Sequence, residues 1–168
     1  MIFTKSNWIK VSIFSLLFWG IVCILPSHLT SQAFALDYDK EILIEADFSN
    51  RDLTDSSFTK ANLRDSNFSN SNLQGVRFFA TNLESANLSN TNLRYATLDS
   101  ARLVKADLRN AVLEGAFASN ARFDGAIIDG ADFTDVLLRN DEQDKLCQLA
   151  KGTNPTTGRN TRDTLYCS

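Results

Sequence analysis

The sequence predicts an all-β solenoid, a chain that turns a square corner every five residues and closes one coil every twenty. Three observations predict it. A large apolar residue recurs at every fifth position from Phe48 to Leu138, nineteen times without insertion or deletion. Six of these are Phe and eleven Leu, with Ile128 and Ala118 completing the series. Two residues before each, Arg51 apart, comes a small or short one, Ala in eleven of the nineteen cases. Finally, five is the period of neither regular element. A helix advances about 100° per residue, so residues five apart scatter around it and form no stripe. A continuous strand alternates faces, so residues five apart point to opposite sides. Four-sided coiling turns all nineteen inward.

The amino-terminal segment reads as an export signal. Lys5 and Lys10 precede an uncharged, almost wholly apolar run over 11–25, and Ala33 and Ala35 form an A-x-A site. Residues 1–35 are therefore expected to be removed by a cut after Ala35. Two rivals fit less well. A retained membrane helix needs about 20 apolar residues, and Lys10 stops the run short. Lipidation at Cys23 lacks the small residue expected just before it. The remaining chain is expected to have no membrane span. It loses the only histidine, His28, and carries twenty acids against fifteen bases, a formal charge of −5. Two cysteines remain, Cys147 and Cys167, and an even number in an exported chain reads as a disulfide.

Residues 36–45 are expected to cap the first coil, with Ile42, Leu43 and Ile44 as a plug. Residues 46–140 then form nearly five coils. Residues twenty apart should stack in four inward columns. The first holds Phe48, Phe68, Leu88, Leu108 and Ile128; the second Leu53, Leu73, Leu93, Leu113 and Phe133. The third holds Phe58, Phe78, Leu98, Ala118 and Leu138, and the fourth Leu63, Leu83, Leu103 and Phe123. Ala118 leaves room that its large neighbour Phe123 can use. Arg51 breaks the small-residue rule, and its head is expected to pass out over the open end. Asn50, Asn70, Asn90 and Asn110 should form a corner ladder of amides, ending at Gly130.

The repeat stops at Asn140, and residues 141–168 are expected to close the lower end. Asn140 with Gln143 resembles a capping box. Asp141, Glu142 and Asp144 suit a first turn, Lys151 the last, and Gly152 a helix end. Leu146, Leu149 and Ala150 make an apolar stripe. A turn over 153–158 leads to a second short helix over 161–167.

The stretches "ANLRD" (61–65), "ANLSN" (86–90), "ADLRN" (106–110) and "ADFTD" (131–135) resemble the pentapeptide-repeat family, whose pattern is A-(D/N)-L-x-x. The resemblance covers about 95 residues of the sequence. It implies a right-handed quadrilateral β-helix. The tail "LCQLAKGTNPTTGRNTRDTLYC" is similar to that of lumenal members from cyanobacteria and chloroplasts. That likeness implies two short helices tied by a disulfide between Cys147 and Cys167. A redox-switching pair is the alternative, with no C-x-x-C or neighbouring base to support it.

Little in the sequence points to chemistry. Without histidine in the exported part, His-based catalysis and His metal ligation are excluded, and no cofactor or metal is expected. Ser and Thr lie at repeat positions with no base beside them. Asp47, Asp52, Asp107 and Asp132, each just before a central residue, are expected on the solvated face. That same outward position turns apolar late, at Val112, Phe117, Ile127 and Leu137, which marks a candidate contact surface. Phe79 and Tyr95 lie off the inward columns and are candidates to join it. The favoured reading is a monomeric, non-enzymatic scaffold or interaction module with an unidentified protein partner, in the thylakoid lumen or, alternatively, the periplasm. Net acidity argues against a nucleic-acid partner. A decoy resembling DNA that binds gyrase, and an enzyme or small-ligand binder, are the alternatives.

Overall fold

The computed structural model describes residues 35–168. The expected export segment, with Lys5, Lys10 and Ala33, lies outside the described residues. From Asp37 to Leu137 the chain winds into stacked coils. Every side contributes a single parallel bridge to the residue twenty positions on, as in Asn72↔Asn92, Asn92↔Val112 and Val112↔Asp132. No side is long enough to make an extended strand.

The backbone bonds explain why one bridge per side suffices. The amide of a central residue donates to the carbonyl nineteen positions on, as Leu93 does to Val112 (2.7 Å), and the amide of Val112 donates back to Thr91 (2.9 Å). At each corner the chain closes a turn, such as Ala96 N to Leu93 O at 3.1 Å. The residue before the turn's last, Tyr95 here, has φ of +58°, as a type II turn requires. Most corners hold non-glycine residues in this left-handed region, at about 1 kcal/mol each. Burying one leucine contributes about 2 kcal/mol, so each repeat gains more than its corner costs. Asn120 is the one corner residue between Lys40 and Asp135 without a positive φ. Its amide donates instead to Asp99 Oδ1, at 3.1 Å.

Of the nineteen expected inward residues, eighteen are buried, and Leu138 is partly buried where the repeat ends. Phenyl rings stack between the first coils, Phe48 on Phe68 at 4.9 Å and Phe58 on Phe78 at 5.3 Å. Sixteen of the nineteen small inward positions are also buried; Ala46 and Val136, near the ends, are partly buried and Arg51 is exposed. Ser66, Ser71, Thr81 and Thr91 each donate a hydroxyl to a carbonyl, as Ser66 to Leu63 O and Thr91 to Leu88 O, both 2.6 Å, while Ser56 Oγ accepts from the Leu36 amide. That satisfies a polar group which would otherwise be buried without a partner.

The segment expected to plug the first coil belongs to it instead. Asp37 bridges Ser57 and Ile42 bridges Asn62, so 36–45 forms two more sides in unbroken register. Tyr38 and Leu43 take the central positions, and the Tyr38 ring stacks on Phe58 at 4.8 Å. Ile42 points outward and is 76 % exposed. Arg51 turns out at this end, its guanidinium carbon 5.5 Å from the Phe48 ring centroid.

At the other end stand two helices, α1 (Asn140–Leu149) and α2 (Thr161–Thr164). Arg139, not Asn140, is the N-cap of α1, and it makes no side-chain cap bond. The capping box is absent because Gln143 is used elsewhere, donating to Leu165 O at 2.7 Å. Lys151 and Gly152 fall beyond the end of α1, which closes at Ala150. Cys147 and Cys167 form a disulfide, with Cα atoms 5.6 Å apart.

Candidate functional site

Each of the four sides presents one outward column, and the columns differ. Asp52, Asn72 and Asn92 make a chain of side-chain bonds, Asn72 Nδ2 to Asp52 Oδ1 (3.1 Å) and Asn92 Nδ2 to Asn72 Oδ1 (2.8 Å). Asn82 bonds Asn62 in the same way at 3.2 Å. The amide ladder is therefore built at the bridge positions. In the corner column the Asn110–Asn90 rung is made, at 3.1 Å.

The four late apolar residues do not share one surface. Phe117 and Leu137 are bridge partners on one side, 49 % and 54 % exposed. Ile127 belongs to the column two sides away, beside Asp107, and so faces the opposite direction. Val112 is buried, contrary to expectation. The tail crosses its side of the coil. Asn154 Nδ2 donates to Asn110 O and Ala111 O, both 3.2 Å, and to Gly130 O at 2.8 Å. Arg159 reaches Glu114 and Asp132 on either side of Val112.

Phe117 and Leu137 gain different company. Tyr95 precedes their side at the corner, and its ring lies over Gly115, 2.8 Å from where a side chain there would begin. Only glycine admits that approach. Tyr166 donates from its hydroxyl to Asp135 Oδ1 (3.3 Å), at the same corner one coil lower. Tyr95, Phe117, Leu137 and Tyr166 thus line one flank of the last three coils, all largely exposed. Phe79 is 39 % exposed, after the same side higher up. Tyr166 escaped the sequence reading because it lies outside the repeat.

The tail takes the place of a further coil. The amide of Phe123 should donate nineteen positions on, to residue 142; it donates at 2.8 Å to the carboxylate of Glu142 itself. The amide of Phe133 donates to Thr164 Oγ1 (3.1 Å), and that of Gly130 to Lys151 O (2.8 Å). Gly152, at φ +82°, brings its backbone against Gly130 where a Cβ would stand 3.0 Å from the amide nitrogen. The ladder offset of nineteen, applied past Asn140, picks out Glu142 from the sequence; no such rule picks out Asn154, Arg159 or Thr164.

Asp132 is fully buried rather than solvated. Burial pushes its carboxyl up, but bonds from the Thr134 hydroxyl and amide, with the charge of Arg159, outweigh it and hold the pKa below the ordinary value. Asp47 and Asp52 remain exposed, and their Oδ1 atoms accept from the amides of Ser49 (3.0 Å) and Thr54 (3.2 Å). The Ser49 amide lowers the pKa of Asp47, and the Thr54 hydroxyl, followed by its amide, lowers that of Asp52. Asp107 is held down too, because its bonds to Arg109 overcome burial.

Between tail and last coil lies an open cavity of about 430 Å³, with Thr134, Arg159, Asn160, Asp163 and Tyr166 among its lining. It brings no nucleophile against a base. Among the described residues no His, Cys, Asp and Glu cluster is arranged to hold a metal ion.

Comparison with known proteins agrees with this architecture. A family model described as a pentapeptide repeat region matches residues 41–117, and one for pentapeptide repeats in eight copies matches 101–140. A crystal structure of a pentapeptide repeat protein from the Arabidopsis thaliana thylakoid lumen is 44 % identical. It superposes with a TM-score of 0.77, covering 78 % of this chain and 91 % of that one. A pentapeptide repeat protein from the cyanobacterium Cyanothece 51142 is 26 % identical at a TM-score of 0.60, over 61 % and 84 % of the two chains. The curated thylakoid lumenal 15 kDa protein 1 of Arabidopsis chloroplasts is 60 % identical over 37 residues. That stretch is 22 % of this chain and 16 % of the relative's length. The chain belongs to the pentapeptide-repeat family.

Proposed function

We propose that this is an exported, non-enzymatic interaction module of the thylakoid lumen, cut after Ala35, whose tower is a right-handed quadrilateral β-helix. The observation that carries the interaction reading is the flank of Tyr95, Phe117, Leu137 and Tyr166. Exposed aromatic and aliphatic side chains grouped on a rigid face are the composition of protein contact surfaces. Elsewhere the outward columns spend their polar groups on one another. The lumenal reading is supported by the 44 % identity to the Arabidopsis lumenal protein and by the disulfide of the tail, which suits an oxidising compartment.

The alternative of a DNA decoy finds little support in the charge. Residues 56–168 carry thirteen acids and thirteen bases, so the later coils have no net negative charge with which to imitate a phosphate backbone. A photo-crosslinker placed at Leu137, with one at Asn67 on another side as control, tests the proposal in isolated lumen and periplasm. A specific adduct to a lumenal protein from position 137 alone is expected. Equal labelling from both positions, or recovery of the chain outside the lumen with residues 1–35 intact, would overturn it.

A further inference from the structure

The net charge of the chain after Ala35 is concentrated in one coil. Residues 36–55 hold seven acids and two bases, a formal charge of −5, whereas residues 56–168 are balanced. All seven acids are exposed. Three of them, Asp39, Asp47 and Asp52, are held below their ordinary pKa by hydrogen bonds, so the collar stays charged.

This coil also carries the unpaired edge of the tower. In every later coil the outward-column amide donates to the coil before it, as Ser57 does to Leu36 O and Asn62 to Glu41 O. Among the described residues nothing accepts from the corresponding amides of Asp37, Ile42, Asp47 and Asp52. Beside them lie the partly buried Tyr38 and Leu43, and the rim is apolar at Ile42. Leu36 is the first residue of the coil, its amide donating to Ser56 Oγ at 3.1 Å. Cleavage after Ala35 would leave no segment to cover this end.

We infer that the open first coil docks an extended, cationic segment of a partner protein, which adds to the tower as one more turn of bridges. Backbone amides supply the pairing and the acid collar selects the partner. A second copy is the wrong occupant, because stacking two first coils would set −5 against −5 at strand spacing, well inside the screening length of about 8 Å. The inference shares with the proposed function the premise that the protein works by contact, but it concerns the end of the tower rather than its flank.

The probe is a blocked, fluorescent peptide of four tandem copies of ARLVK, the sequence of Ala101–Lys105. It is titrated into the exported chain, alongside a scrambled peptide of equal composition and an acidic one built from ADFTD. Saturable binding of the first is expected, with amide exchange at Asp37, Ile42, Asp47 and Asp52 slowed about tenfold or more. The double substitution Glu41→Gln with Glu45→Gln should weaken binding about tenfold. Equal binding of the scrambled peptide would reduce the effect to charge alone and overturn the inference. So would an affinity unchanged in the double variant. If the first peptide fails to bind while the double variant self-associates, the acids merely guard the edge against stacking, and the inference is wrong. Both readings share the cut after Ala35; given that cut, none of these outcomes depends on the flank crosslinks or on the compartment, so a failure at the end of the tower and a failure at its flank are told apart.

Discussion

The tower ends in two different ways. At the last coil, the amides of Phe123, Gly130 and Phe133 are each answered by a residue of the tail. At the first coil the equivalent edge has no partner among the described residues and is ringed by acids. A repeat satisfies its own interior but not its boundary. One boundary is closed by a covalently tied segment; the other is left open and carries seven exposed acids. The comparison separates what the coils need from what the ends need, and it can be broken by experiment.

Removing 141–168 should have the largest effect. It leaves three ladder amides without partners and uncovers Val112, Ile128 and Phe133. Because the coils are stabilised by their neighbours, we expect circular dichroism to keep the coil signal while light scattering shows larger species. Removing 36–45 should keep the coil signal too; it leaves a nearly neutral first coil, four acids against three bases over 46–65, so association is expected, but less than that caused by loss of the tail. A truncated chain that is unfolded and monomeric would make the tail part of the folding core.

Reduction of Cys147–Cys167 comes next. The bridge closes a separation of 20 residues, and in the chain-entropy model such a loop is worth about 3 kcal/mol. The loss should fall on the tail. Amide exchange is expected to quicken at Phe133 and in α2, and to stay unchanged at Leu63 and Leu83. Uniform quickening along the tower would mean that the ends are coupled.

Substituting Glu142→Ala is expected to destabilise by about 2 kcal/mol, because the buried Phe123 amide loses its acceptor. Glu142→Gln keeps an oxygen in place and should recover much of this. Glu41→Ala, at the open end, should stay within about 0.5 kcal/mol. Denaturant midpoints of the three variants decide it; equal shifts for Glu142 and Glu41 would erase the difference between the ends.

The interior was legible in the sequence because every inward site repeats one chemistry at one spacing. Tyr38 and Leu43 are inward too, but they are preceded two residues earlier by Leu36 and Glu41 rather than by a small residue. At an open end nothing crowds that position, so the constraint that made the pattern visible is relaxed. Val112 looked like its apolar counterparts Phe117 and Leu137. Its burial depends on Asn154 and Arg159, which return from far along the chain and obey no period. Glu142 lay in plain register with the ladder, but its side chain, not its carbonyl, makes the bond. Contact between the tail and the coils is set by individual side chains, and single residues carry no periodic trace.

Acid provides the finest test of the comparison, since both ends hold carboxylates with lowered pKa values and only one of them is buried. Asp132 is fully buried beneath Arg159, whereas Asp47 is exposed and bonded to the Ser49 amide. A carboxylate whose folded pKa lies below its unfolded value stabilises the fold above the unfolded value. That contribution fades as pH falls through the folded one. For Asp132 the window therefore opens below about pH 4. Protonation there weakens the pairing with Arg159 and leaves the tail less firmly held over Val112. Asp47 titrates in the same direction, but water screens it and little stability is linked to it. With Tyr38→Phe and Tyr95→Phe in place, the fluorescence of Tyr166 reports on the tail alone. We expect an acid transition in that signal which Asp132→Asn abolishes and Asp47→Asn leaves in place. A transition that survives Asp132→Asn would assign the acid sensitivity of the tail to another group and remove Asp132 from its role as the buried anchor.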